Sequence, residues 1–566
     1  MRIVVGSIWL LALAVEACAQ PYRVVIENRV AAKMRDGVTL VADVYRPQAE
    51  GKFPVLLQRT PYNRAGGAAS AGEMASQGYV VILQDTRGRF DSQGEFYPFR
   101  YESQDGYDTV EWAASLPYSN GQVGMFGGSY VGATQMLTAI ARPPHLAAIF
   151  PYVTASEYYE GWTYQGGALM QWFASSWTSG LAVDTLRRKA KSDPRGWVTQ
   201  LPVESYRTLE APPVPTLAEY FRDWVRHEQD DEYWKPWKIS GHYSEMQVKA
   251  LHAGGWHDIF LKGTLTNFTG MRRASRAGAD QRLLVGPWAH AETSREGKIG
   301  EVTFGRQAVL DMTGTTLRWF DYALKGIRNE YASGVPVRIF VMGENAWRDE
   351  QEFPPARARS TNYYLRRGTL STAPPGEEPP QSYEYDPANP VPTIGGRLCC
   401  ANHQLPPGPA DQRPNESRPD VLVFSTPPLE KDTEVTGFIR LKLYAASSAT
   451  DTDFTAMLTD VEPSGYSRLL TDGIVRARYR HGTSRAEPIE PGKIYEYDID
   501  LWATSNLFKA GHRIRLAVSS SNFPRFDRNL NTGEPILGAT RMVKARQTIY
   551  HDAQHPSALV VPVIPR

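Results

Sequence analysis

The sequence predicts an α/β fold, a parallel sheet with helices on both faces, interrupted by an inserted helical cap and followed by a β-sandwich of jelly-roll type. Three observations predict it. Short continuous apolar runs, such as Val55-Leu56-Leu57 and Val80-Val81-Ile82-Leu83, alternate with helical stretches as far as Pro151, the pattern of strands buried on both faces of a parallel sheet. Strand signals vanish between about Thr154 and Val248, where helical stretches dense in Trp and Tyr appear, and then resume. Beyond about Asp349 the helical signal fades, and short alternating strands with turn residues between them run to the C-terminus.

The elements follow in order. Residues 22–45 alternate apolar and polar positions around Arg35-Asp36-Gly37 and read as a hairpin. A buried strand over 53–58 ends in Arg59-Thr60-Pro61-Tyr62, a helix is expected near 72–77, and a second buried strand over 79–84 ends in Asp85-Thr86-Arg87-Gly88-Arg89. Residues 105–114 are expected to be helical, 121–126 a strand, 131–141 a helix stopped before Pro143-Pro144, and 147–151 a strand. The insertion predicts helices over 157–177 and 217–234. The sheet resumes with a strand and loop over 249–258, a helix over 260–273, a strand over 281–286, a helix over 315–325 and a strand over 335–342. Pro-rich loops at 371–380 and 405–419 precede or separate strands expected at 421–424, 435–444, 454–461, 473–480, 494–501, 512–519 and 547–550. The domain limits drawn from this pattern are 20–153 and 249–349 for the sheet domain, 154–248 for the cap and 350–566 for the sandwich.

Composition narrows the function. Lys and Arg (62) balance Asp and Glu (61) with no basic run, which argues against nucleic acid as a partner. Arg2, an apolar run too short to span a bilayer and Ala17-Cys18-Ala19 read as a secretory leader over 1–19, so a secreted or periplasmic chain with no membrane span is expected. Cys18 also fits a lipid anchor, which ranks second because Glu16 is out of place there. The remaining cysteines, Cys399 and Cys400, are adjacent and can pair only as a vicinal bridge with each other. No metal-ligand spacing occurs.

The chemistry centres on Gly127-Gly128-Ser129-Tyr130-Val131-Gly132, a cramped turn between an apolar strand and a helix. As a bare pattern this is a flexible turn more readily than a reactive one. Its place between strand and helix favours the nucleophile elbow of an α/β-hydrolase domain, with glycine one position later than in G-x-S-x-G. A serine needs a base, and the base an orienting group. After Ser129 the chain offers Asp258 and His290, each on a loop following a strand, in the order that this fold uses. His257 competes as the base, and Asp258 has an alternative as a helix cap. The Tyr130 backbone N–H is one oxyanion donor by construction of the elbow; Tyr62 is either the second donor or a packed loop tyrosine.

The residues resemble the cocaine-esterase-like and X-Pro dipeptidyl-peptidase family of α/β serine hydrolases. The matching stretches include MRDGVTLVADVYRP, LLQRTPYNR, QDTRGRFDSQGEF, DGYDTVEWAASLPYSNGQVGMFGGSYVG, GGWHDIF, GPWAH and GHRIRLAVSSSNFPRFDRN, in one order along the chain. The family's elbow is G-x-S-Y-x-G, which accounts for the late glycine. The resemblance implies Ser129 as nucleophile, Asp258 as acid, His290 as base and Tyr62 as second oxyanion donor. It also implies an acyl pocket walled by Trp162, Trp177 and Phe260. Its amino-acid ester hydrolases carry a carboxylate three residues past the nucleophile, where this chain has Gly132. The expected function is hydrolysis of a small-molecule ester or amide through an acyl-enzyme, without cofactor or metal. The alternatives are an X-Pro dipeptidyl-peptidase acting on peptides, and a non-catalytic protein presenting its jelly roll to carbohydrate or a cell surface. A homodimer is compatible with any of these.

Overall fold

The computed structural model describes residues 21–192, 217–274, 280–290, 296–400 and 402–566, with backbone alone at 189–192 and 333. The expected leader at 1–19 lies outside them, as does part of the cap. Ten strands form the first sheet: β1 (Val24–Lys33), β2 (Thr39–Pro47), β3 (Phe53–Thr60), β4 (Val80–Asp85), β5 (Ser119–Gly128), β6 (Leu146–Tyr152), β7 (Lys249–His257), β8 (Gln281–Ala289), β9 (Val337–Val341) and β10 (Ala346–Glu350). Their order is β1-β2-β4-β3-β5-β6-β7-β8-β9-β10, parallel from β4 to β9 and antiparallel at both margins. The order reverses around β3, so a crevice opens where β3 and β5 end side by side, the usual place for a ligand in an open α/β sheet.

Both faces are covered, which is why the central strands read as unbroken apolar runs. One core joins the sheet to α2 (Glu102–Ser115) and α3 (Tyr130–Ala141) through Val110, Ala113, Ala133 and Met136. The other face packs on α1 (Ala68–Ser76) and a helix over Met312–Ala323, through Ala71, Met74, Trp319 and Phe320.

The cap differs from the expected helical run. Residues 157–170 form turns and a two-residue hairpin, Tyr164–Gln165 against Ala168–Leu169, before α4 (Gln171–Ser192) begins. The cause is the Gly166-Gly167 pair, at φ 53° and 84°, which a right-handed helix does not contain. A Cβ at Gly166 would lie 2.1 Å from the Ile474 carbonyl oxygen, so the pair also lets the sandwich approach. The second cap helix is short, α5 (Glu219–Arg226): the Trp234 indole N–H donates to the His227 carbonyl (3.0 Å) and Asp231 turns the chain. The helix after β7, α6 (Leu261–Ala274), falls where expected.

The C-terminal strands are β11 (Arg359–Arg366), β12 (Thr369–Ser371), β13 (Gln381–Tyr385), β14 (Leu422–Ser425), β15 (Thr433–Ser447), β16 (Asp453–Val461), β17 (Ser467–Arg476), β18 (Tyr495–Phe508), β19 (Arg513–Ser519), β20 (Ala545–Tyr550) and β21 (Ala558–Ile564). They form one ladder, β13-β20-β15-β21-β11-β12-β14-β19-β16-β17, with β18 also on β15; every pair is antiparallel except a single β12–β14 contact. β17 starts six residues before the expected 473, since polar residues such as Ser467, Arg468 and Asp472 are buried in it. The sandwich shares a core with the first domain, in which Trp256, Trp288 and Phe340 meet Leu501 and Trp502. Among the described residues, no helix is long and apolar enough to cross a membrane.

Candidate active site

Ser129 stands between β5 and α3 at φ 61°, ψ −129°, a strained conformation for a residue with a Cβ. The two preceding glycines make this turn possible. A Cβ at Gly127 would lie 2.2 Å from Val131 Cγ1, and one at Gly128 would lie 2.1 Å from the Tyr152 ring. The Ser129 N–H donates to the Tyr152 carbonyl (3.0 Å), and its own carbonyl accepts from Gly132 N (2.9 Å), Ala133 N (3.0 Å) and Thr154 Oγ1 (2.9 Å). The strained serine is therefore held from both neighbouring elements.

Asp258 and His290 come together because β7 and β8 are parallel neighbours with His257 opposite Ala289. The next residue of each strand emerges beside the other. His290 Nδ1 lies 2.7 Å from Asp258 Oδ1, with Asp258 fully buried and His290 5% exposed. With Nδ1–H donated to the carboxylate, Nε2 is left as the acceptor. His290 and Ser129 line the same cavity of about 1000 Å³. His257 does not line it. Burial, aided by the charges of Arg397 and Arg468, pushes His257 down to about 3, and neither of its ring nitrogens has a hydrogen-bond partner among the described residues. It is a packed neutral histidine outside the cavity that His290 lines.

Tyr62 follows β3, the strand beside β5, and lines the cavity, 40% exposed. The Ser129 side chain and the Tyr130 backbone are close enough to its hydroxyl to lower its pKa. The hydroxyl accepts from Trp177 Nε1 (2.9 Å). Burial raises the hydroxyl above the usual phenol range, while the bond from Trp177 and the nearness of Ser129 and Tyr130 pull it back. Of the three expected pocket aromatics, only Trp177 lines the cavity. Trp162 and Phe260 are fully buried and stack on each other (4.4 Å between centroids, 6° between planes), and Phe260 meets the His290 ring edge-on at 5.2 Å. They back the site as packed core.

Two features escaped the sequence reading. Beneath the elbow, the Tyr130 hydroxyl donates to Glu102 Oε1 (2.9 Å) and accepts from Phe99 N (2.8 Å), and Arg59 donates to Glu102 Oε2 (2.8 Å). Burial raises the Glu102 carboxyl and the Arg59 charge opposes that rise. The partners lie far apart in sequence, so no spacing signals them. The second feature is that Cys399 and Cys400, bonded to each other, stand in the cavity wall. The described lining residues include no Asp, Glu, Lys or Arg; the cavity is closed by groups such as Gln58, Met74, Phe126 and Met312.

Fold and site together define an α/β serine hydrolase with a helical cap and a C-terminal β-sandwich. Comparison with known proteins places it further. The X-Pro dipeptidyl-peptidase (S15 family) profile matches residues 36–292, and that of the X-Pro dipeptidyl-peptidase C-terminal non-catalytic domain matches 329–560. A cocaine esterase from Rhodococcus sp. (strain MB1 Bresler) is 40% identical, across 96% of this chain and 99% of its own. Among solved structures, an α-amino acid ester hydrolase superposes with a TM-score of 0.81 at 26% identity, covering 99% of both chains. An aminopeptidase from a marine sediment Thaumarchaeota archaeon gives 0.81 at 25%, covering 98% of this chain and 99% of its own. The chain belongs to the cocaine-esterase-like and X-Pro dipeptidyl-peptidase family of α/β serine hydrolases, and it hydrolyses ester or amide bonds of a small-molecule substrate.

Proposed function

We propose that Ser129, His290 and Asp258 carry this hydrolysis and that its substrates are esters of uncharged acyl and alcohol groups. The observation that carries the reading is the Asp258–His290 hydrogen bond of 2.7 Å in the cavity that holds the strained Ser129. His290 Nε2 takes the Ser129 proton as Oγ attacks the carbonyl carbon. The oxyanion is held by the Tyr62 hydroxyl and the Tyr130 N–H, at the N-terminus of α3. The tetrahedral adduct collapses, the leaving alcohol takes the proton from Nε2, and water repeats both steps on the acyl-enzyme. Asp258 holds the imidazole in the required tautomer throughout.

Preference for uncharged esters is supported by a cavity whose described lining has no carboxylate to hold a substrate ammonium. Gly132 supports it too: a Cβ there would lie 2.8 Å from Thr154 Cβ, so an acidic side chain at that position has no room. We also propose export, supported by the leader-like 1–19 and by the Cys399–Cys400 bond, which persists in an oxidising compartment.

The test is a panel of neutral aryl esters, α-amino-acid esters and X-Pro anilides, run with wild type and Ser129→Ala. Neutral esters should turn over fastest, and Ser129→Ala should lose about 10⁶ in kcat together with labelling by a fluorophosphonate. Faster release from X-Pro anilides would reject the ester preference, and retained turnover in Ser129→Ala would reject the nucleophile.

A further inference from the structure

Trp177 stands in the sequence reading as a wall of the substrate pocket. The structure gives its indole nitrogen a more specific task. Nε1–H donates to Tyr62 Oη at 2.9 Å. An indole N–H is a donor only, so the direction of this bond does not depend on a tautomer or a side-chain flip. A phenol proton prefers the plane of its ring and has two orientations there. With one side of Oη taken by the Trp177 N–H, the proton is directed to the other side of this hydroxyl, whose residue lines the same cavity as Ser129.

We propose that Trp177 is a positioning residue for catalysis: its N–H fixes and polarises the Tyr62 hydroxyl, so that Trp177, Tyr62 and the substrate oxyanion form a two-step hydrogen-bond relay. The inference rests on the reading of Tyr62 as an oxyanion donor. Donation into Oη strengthens the hydrogen bond that the Tyr62 O–H itself donates, since successive hydrogen bonds polarise one another in a poorly solvated site. It also offsets the burial that otherwise makes this hydroxyl a weaker acid.

The surroundings keep the two groups in register. The Trp177 ring, 4% exposed, stacks between the rings of Tyr130 (5.9 Å, 24°) and Trp224 (5.9 Å, 20°). The buried Arg89 guanidinium donates to the Pro61 carbonyl (2.9 Å) and to the Leu181 carbonyl (3.0 Å). Pro61 immediately precedes Tyr62, and Leu181 lies one turn beyond Trp177 on α4. One side chain thus clamps the loop of the oxyanion tyrosine to the cap helix that carries its donor. A plain wall residue needs neither the N–H nor the clamp.

The two roles separate kinetically. A wall contact acts on ground state and transition state alike and appears in KM; a relay to the oxyanion acts as charge develops and appears in kcat. With a neutral aryl ester, Trp177→Phe should lower kcat by roughly tenfold to a hundredfold and move KM by less than about threefold. Tyr62→Phe should lose roughly 10²–10³. The double variant should be no more than about twofold slower than Tyr62→Phe alone, because the relay has no function without the hydroxyl. If packing loss unfolds Trp177→Phe, incorporation of 3-benzothienylalanine at 177 keeps the ring shape, replaces N–H by S, and should give the same kcat loss. Multiplying losses in the double variant, or an effect confined to KM, would overturn the relay while leaving Tyr62 as the donor. An unchanged rate in Tyr62→Phe would overturn the oxyanion reading itself, and the relay with it.

Discussion

Two neighbouring tyrosine environments show how little residue type says about role. Tyr62 presents its hydroxyl to the cavity, whereas Tyr130 turns its hydroxyl away, into the protein, and offers the site only its backbone N–H. The Tyr130 side chain anchors that N–H: its hydroxyl bonds both Glu102 and Phe99, and its ring stacks on Phe99 at 5.2 Å. Tyr130→Phe would strip two buried groups, Glu102 Oε1 and the Phe99 N–H, of a partner each. Its expected cost is about 1–3 kcal/mol of stability, read as a lowered denaturant midpoint at constant slope. Since the N–H proposed to hold the oxyanion survives in that variant, its kcat should fall far less than that of Tyr62→Phe. A kcat loss equal to that of Tyr62→Phe would mean that the Tyr130 hydroxyl reaches the reacting oxygen, contrary to its position.

At the scale of elements, α3 lies tight against the chain that leaves β6, and Gly132 is the point of contact. A Cβ there meets Thr154 Cβ at 2.8 Å and Cγ2 at 3.0 Å, and Thr154 itself holds the Ser129 carbonyl. Gly132→Ala should therefore destabilise the protein by about 1–3 kcal/mol and push the elbow out of place. Paired with Thr154→Gly it should cost less than the two single changes together, a coupling read by thermal unfolding. Strict additivity would mean that the contact is already relaxed. The same scale shows what was legible in the sequence. The strands of the parallel sheet were, because burial on two faces leaves an apolar run; so were Asp258 and His290, because both stand where a strand ends. The cap helix boundaries were not. Gly166 and Gly167 lie against Ile474 and Tyr479, residues of the distant sandwich, which leave no room for a Cβ at either. β17 hid its start because Arg468, Asp472 and Arg476 are buried there with partners that the sequence does not place next to them, Asp460, Arg525 and Asp453 among them. Trp162 and Phe260 were readable as aromatics near the site, but only their mutual stacking distinguishes core from lining.

Across the whole molecule, the acid-bearing segment is where sheet domain, cap and sandwich meet. Lys262, four residues beyond Asp258, bridges Glu160 of the cap (3.0 Å) and Asp500 of the sandwich (2.9 Å), and buried Arg397 lies on the Trp256 carbonyl. The price of this arrangement is a pair of buried histidines in β7. Burial pushes His252 down to about 4 and His257 to about 3, the latter with help from Arg397 and Arg468 of the sandwich. An unfolded chain protonates both near 6.5, so between pH 6.5 and about 4 the unfolded state binds more protons than the folded one. Stability is then complete above pH 6.5 and falls on acidification, by up to about 1.4 kcal/mol per pH unit for each histidine, until the folded-state values are passed. His257→Gln should remove one proton from the pH dependence of unfolding and leave the Asp258–His290 pair in place, so its activity at neutral pH should stay near wild type. The same slope in both proteins would show that His257 already shares a proton in the folded state. A flattened slope with sharply lower activity would show instead that packing at 257, beside the paired carboxylate, is what holds Asp258 in position.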